Sequence, residues 1–105
     1  MNCSRGDVVL LPIPFTDLSS TKVRPAIVVG RGSFPADLFV VPVTSQLGNA
    51  DFPLGDWAAA GLNVSSGVKG QLCTVEDGLV RKIVGAISPN DTTTLDTHLR
   101  RWLGL

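Results

Sequence analysis

The chain has 105 residues, nine basic and nine acidic side chains, a formal net charge of zero and a pI near 6.5. That length fits one domain over residues 1–105. With 44% hydrophobic and 17% charged residues, intrinsic disorder is excluded, and neutrality excludes a polybasic nucleic-acid tail or an acidic solvating tail, though not a small local basic site.

In chain order, the opening Met1–Asp7 carries no apolar signal core, and no run approaches the ~18 apolar residues of a membrane span. The expected location is therefore the cytoplasm. Val8–Leu11 is a short run of β-formers closed by Pro12 and Pro14, and it reads as a first strand. Phe15 to Lys22 is polar and turn-like, a loop. Pro25–Val29 and Asp37–Val43 are nearly continuous apolar runs, expected as buried strands about a turn at Gly30–Ser33, with Pro42 marking a bulge or an edge. A short strand is expected around Phe52 and one helical turn at Trp57–Gly61. Val68–Val75 and Leu79–Ile87 read as two further strands about a turn at Glu76-Asp77-Gly78.

The last segment changes character. Ser88-Pro89-Asn90-Asp91 is a helix-start signal, and Leu95, Leu99, Trp102 and Leu103 follow on one helical stripe. Several short strands and one closing helix predict a mainly β (α+β) domain: a small, strongly bent sheet or partly open barrel with a helix packed against it.

Chemistry-bearing residues are few. Cys3 and Cys73 share no metal-ligand spacing and read as reduced intracellular thiols. His98 is the single histidine, expected at a solvent-facing or helix-end position rather than in catalysis. No phosphate loop or zinc-hydrolase motif is present, so neither a metal nor a cofactor is expected. Two places stand out. Lys22-Val23-Arg24-Pro25 joins a polar loop to a buried strand, and Pro25 biases Arg24 towards extended geometry. A guanidinium fixed there suits a phosphate, and its plain alternative is a surface arginine. Thr44-Ser45-Gln46 ends the other buried strand and offers three hydrogen-bonding side chains, or simply a polar turn.

The runs Arg5–Leu10, Pro14–Leu18, Arg24–Val29 and Val43–Gln46, with Ala60-Gly61-Leu62, Gly85 within Leu79–Ser88, and Trp102–Leu105, resemble the PemK/MazF family of toxins over nearly the whole chain. The resemblance implies an SH3-like, PemK/MazF-type β-barrel with a C-terminal helix, usually a homodimer. It further implies a metal-independent endoribonuclease that cleaves single-stranded RNA by attack of the 2′-OH on the adjacent phosphate and is inhibited by a cognate antitoxin. The family's catalytic positions fall on Arg24 and Thr44. RNA binding would fall to Phe15, Thr16, Asp17, Lys22, Ser45, Gln46 and Lys69, with Phe15 offering a base-stacking face or a core aromatic. Several relatives carry an arginine followed closely by an aspartate on the strand matching Val68–Val75. Here Lys69 stands for the arginine and Gln71 for the acid, and glutamine cannot act as a base. The base then comes from elsewhere, with Asp17 and Asp51 as weak candidates, or the chain is a non-catalytic RNA- or protein-binding barrel. Trp57 reads as packing or as an antitoxin contact, and Trp102 and Leu103 as helix-to-barrel or dimer packing.

Overall fold

A computed structural model describes residues 2–12 and 22–105. Seven strands and one helix follow in the order β1 (Asp7–Pro12), β2 (Val23–Arg31), β3 (Asp37–Thr44), β4 (Phe52–Pro53), β5 (Gly67–Val68), β6 (Cys73–Glu76), β7 (Lys82–Ala86) and α1 (Pro89–Leu103). All pairings are antiparallel. The sheet runs β4-β5-β3-β2-β1-β7, and β6 joins it along the first half of β3.

The curvature follows from which side chains meet. Val9 and Leu11 of β1, Ala26 and Val28 of β2, and Leu38 and Val40 of β3 form one buried cluster with Cys3 and Val80. Cys73 and Val75 of β6 and Ile83 of β7 pack on that same cluster. In a flat sheet β6 and β7 would lie about 19 Å apart, four strand spacings, so the sheet must curl to bring both onto one core. The short turn Asp77–Leu79 links these two edges directly. Among the described residues no ladder joins β7 to β4 or β6, so the expected barrel is realised as a curled, open sheet.

The opposite face holds the second core. Val8, Ile27, Val41, Val43, Phe52, Leu54 and Val68 are buried there with Leu95 and Leu99 of α1, and Trp57 and Trp102 pack on them. Alternation of side chains along each strand separates the two clusters, and a single residue of register slip would exchange them. The helix is fixed at its start. Ser88 caps it by accepting the Asp91 N–H, and buried Asp91 accepts the N–H groups of Gly55 and Asp56, each at 2.9 Å. Basic Arg100 and Arg101 occupy the last turn, where they complement the helix dipole.

Two glycines quoted for the family likeness meet here. Gly61 sits at φ +90°, and a Cβ on it would lie 2.2 Å from the Val84 carbonyl oxygen. A Cβ on Gly85 would lie 2.3 Å from that of Ala60. The turn after Trp57 and strand β7 therefore touch backbone to backbone, which only residues without a side chain permit.

Several expectations are corrected. The expected strand Val68–Val75 is broken: β5 ends at Val68, and β6 begins only at Cys73 and runs on through Glu76, which pairs with Asp37. The expected strand Leu79–Ile87 shortens to Lys82–Ala86, because Asp77–Leu79 forms a 3-10 turn. Trp57–Gly61 is the expected single turn and goes no further: Ala60 donates its N–H to the Asp56 carbonyl at 3.2 Å, and Gly61 at φ +90° ends it. Pro42 sits within β3, opposite Ala26. Its carbonyl accepts the Lys69 N–H at 3.0 Å, so its missing donor faces the gap where β3 changes partner from β6 to β5. His98 is half-buried rather than solvent-facing. It stacks on Phe52 at 4.2 Å between ring centroids, and its Nδ1 lies 2.9 Å from the Thr94 carbonyl.

Candidate active site

The first core ends, towards the start of β2 and the end of β3, in a row of polar residues. Ala26 pairs with Pro42 and Ile27 with Val41. Continued two residues, that register sets Arg24 opposite Thr44. On the next strand Thr44 pairs with Gly67 and Val43 with Val68. Directly opposed residues of an antiparallel ladder share a face, and every second residue returns to it. Arg24 follows the parity of Ala26 and Val28, and Thr44 that of Leu38 and Val40, so both belong to the face of the curled-sheet core. Val68 belongs to the helix-covered core, which assigns Lys69 to the face of Arg24 and Thr44. Lys69 is then the diagonal neighbour of Thr44, at about 7–8 Å between Cα positions. Lys22 has the same parity as Arg24 and is exposed just ahead of β2.

Two long-range pairings, β2 with β3 and β3 with β5, thus gather Arg24, Thr44 and Lys69, which are separated by up to 45 positions in the chain. Arg24 is exposed, while Leu11, its partner on β1, is fully buried, so the guanidinium stem rises from a fixed strand at the rim of a packed core. Thr44 is half-buried, and its Oγ1 accepts the Gln46 N–H at 3.0 Å. That bond fixes the oxygen, and a hydroxyl that accepts one bond still carries one proton to donate. Ser45 and Gln46 are exposed in the turn, where the Gln46 Oε1 accepts from Asn49 Nδ2 at 2.8 Å. Phe15, Thr16 and Asp17 lie outside the described residues.

Asp51, a candidate base, holds a structural contact: its Oδ2 accepts the Gly70 N–H at 2.6 Å. Gln71 is exposed in the link between β5 and β6. Gly70 carried no signal in the sequence, because its neighbours Asp51 and Trp102 are remote in the chain. Among the described residues no three His, Cys, Asp or Glu side chains gather as a metal-binding group. Both thiols are free, and burial pushes the Cys3 and Cys73 groups up from their ordinary values, so neither is a ready nucleophile. No helix among the described residues is long and apolar enough to cross a membrane.

A separate groove of about 340 Å³ runs along the C-terminal end of α1, lined by Phe39, Leu72, Leu99, Leu103 and Leu105 with Arg100 beside them. Of the two residues expected in helix-to-barrel or dimer packing, Trp102 packs on the helix-covered core and Leu103 is 53% exposed on this groove.

Residues 4–103 match the protein family described as PemK-like, MazF-like toxin of type II toxin-antitoxin system. Among solved structures the chain is similar to an endoribonuclease in complex with its cognate antitoxin from Mycobacterial species, with a TM-score of 0.74 at 22% identity. That likeness covers 100% of this chain and 97% of the other, and at such identity it is a likeness of fold. No curated protein matches the sequence. Because the family match runs almost from end to end, the chain belongs to the PemK-like, MazF-like toxins of type II toxin–antitoxin systems.

Proposed function

We propose that this toxin is a metal-independent, sequence-specific endoribonuclease that cleaves single-stranded RNA and is inhibited by a cognate antitoxin. The observation that carries this reading is the β2–β3 register, which, continued two residues past Ala26 and Pro42, brings Arg24 opposite Thr44 on the face that also takes Lys69. In the reaction the 2′-oxygen bonds to phosphorus and the bond to the 5′-oxygen breaks, leaving a 2′,3′-cyclic phosphate and a 5′-hydroxyl. A base removes the 2′-OH proton, and an acid returns one to the leaving 5′-oxygen. Arg24 stabilises the dianionic phosphorane, because a fixed guanidinium is already oriented where the charge develops. A guanidinium offers a delocalised charge and a rigid fork of five donors, so charge stabilisation is the first role of Arg24. The Thr44 hydroxyl donates to a non-bridging oxygen and holds the phosphate in line. Lys22 and Lys69 bind flanking phosphates, and Phe15, Thr16, Asp17, Ser45 and Gln46 border the strand of RNA. The site of action is the cytoplasm.

The test is incubation with mixed-sequence RNA in EDTA. Cleavage is expected, with loss in Arg24→Ala and Thr44→Ala and with no cutting where the nucleotide 5′ to the scissile phosphate lacks its 2′-OH. No cleavage by the parent protein sinks the proposal.

Gln71 in place of an acid, with the Asp51 carboxylate held by Gly70, favours one competing reading: a barrel of the same family that binds RNA or protein without cutting. Binding without cleavage would establish it.

We also propose a homodimer formed through the groove beside α1. Apolar Phe39, Leu72, Leu103 and Leu105 are exposed there next to Asp96 and the cations Arg5 and Arg100, so a two-fold axis can set Arg100 against its partner's acid. Light scattering should give twice the 11.1 kDa chain mass, and Leu103→Glu should return it to one.

A further inference from the structure

We infer that Asp51 is a positioning residue for Lys69, closing around the lysine's peptide from both sides. This role rests on the RNA-cleavage reading above. The Asp51 backbone N–H donates to the carbonyl of Val68, one residue before Lys69, at 2.8 Å. Its carboxylate accepts the N–H of Gly70, one residue after, at 2.6 Å. A charged acceptor makes the second bond about twice as strong as a neutral one. Lys69 itself donates its N–H to the Pro42 carbonyl at 3.0 Å. The last residue of β5 and the first two of the link leaving it are therefore tied down, although no regular structure runs from Lys69 to Leu72.

A second contact holds the same link from the helix side. A Cβ on Gly70 would lie 2.9 Å from Trp102 Cε2 and 3.1 Å from Asp51 Oδ2. Trp102 packs on the helix-covered core, and its ring lies near the His98 and Phe52 rings. The residue that follows the lysine thus has an aspartate from β4's approach and an indole of α1 close against it. A lysine side chain is long and loses much rotamer freedom when it binds a phosphate, so a fixed Cα limits the further freedom to be lost. Asp51 exerts this effect without touching RNA, and its engaged carboxylate sets it apart from the proton-transfer machinery.

The test uses the whole protein with two probes: a mixed-sequence RNA that is cut, and a fully 2′-O-methylated version that is bound but not cut. Loss of one phosphate contact is worth about 5-fold. Asp51→Ala and Lys69→Ala should each raise KM on the first probe and Kd on the second by about that factor, with kcat within about 2-fold of the parent. The double variant should be no weaker than either single one, because the clamp acts only through the lysine. Asp51→Asn, which keeps an acceptor oxygen, should restore most of the affinity. Amide exchange at Gly70 should speed up in Asp51→Ala. The inference is overturned if Asp51→Ala lowers kcat with KM unchanged, if the two losses multiply, or if Asp51→Ala matches the parent. Should Asp51→Ala fail to fold, Asp51→Ser, too short to span to Gly70, replaces it with the same outcomes. A parent protein that neither cuts nor binds RNA refutes the proposed function and this role with it. A parent that does both while the Asp51 variants bind and cut like it refutes this role alone.

Discussion

The two faces of the sheet are built for different ends. The helix-covered face is closed by satisfied contacts: the Ser88 cap, the Asp91 carboxylate on two backbone N–H groups, and Leu95 and Leu99 on Phe52, Val43 and Val68. The other face curls around a small core and ends in a polar rim of Lys22, Arg24, Thr44 and Lys69. Residues on the first face answer to packing, and under the proposed function those at the rim of the second answer to RNA. Substitutions should sort in the same way, with stability lost on one side and activity on the other.

The largest effect is expected on the helix-covered side. In Gly85→Ala the new methyl meets a backbone carbonyl at 2.3 Å, and no flexible side chain is there to move aside. The β7 strand or the turn before Leu62 must shift, at a cost of about 4 kcal/mol or more. We expect no folded protein at 37 °C by circular dichroism. A cooperative melt close to the parent's would show that the two backbones can separate freely.

Next is the rim. Arg24→Ala should lower kcat by about 10²–10³-fold, the scale of losing one preorganised charge stabiliser, with Tm within about 2 °C of the parent. Arg24→Lys keeps charge but not the planar fork and should retain less than about a tenth of parental activity. A rate near parental for the lysine variant would show that a point charge suffices. A large drop in Tm for either would place Arg24 with the structural residues and dissolve the division between faces.

Asp91→Ala returns to the helix-covered side with a smaller effect. It strips the acceptor from the Gly55 and Asp56 N–H groups, worth about 2–4 kcal/mol for two backbone donors. In a chain of this size that lowers Tm by roughly 10–25 °C. Activity per folded molecule, measured below the new transition, should be unchanged.

How much of this division could be read in the sequence depended on how local the cause was. Val8–Leu11, Pro25–Val29 and Asp37–Val43 fall within β1, β2 and β3, because continuous apolar runs bounded by turn residues specify buried strands. The helix was legible in its Ser88 cap and its leucine spacing. The break between β5 and β6 was not, since its causes are remote: Pro42 on β3, Asp51 ahead of β4 and Trp102 on α1. His98 reads in the sequence as a solvent-facing or helix-end residue because its stacking partner Phe52 lies 46 positions away. Arg24 and Thr44 were each legible as strand-end residues. Their opposition across β2 and β3 required the register.

The smallest effect tests the rim as an electrostatic surface. A neutral chain offers no long-range attraction for RNA, and Arg5 and Arg31 already face Asp96 and Asp77 as ion pairs. The cations proposed to hold RNA are Lys22, Arg24 and Lys69, while Arg81 and Lys82 lie at the start of β7 and Arg100 and Arg101 on α1. Three phosphate contacts, at about 0.7 each for a single strand, give a slope of log Kd against log salt near 2 in magnitude. Lys69→Ala should lower that slope by about 0.7 and weaken binding evenly across sequences, because a phosphate contact carries no base information. On the helix-covered side Arg101→Ala, in the last turn of α1, should leave the slope unaltered. A parental slope well above 3 would mean that RNA reaches beyond the rim onto other cations, and the two faces would then share the ligand rather than divide the work.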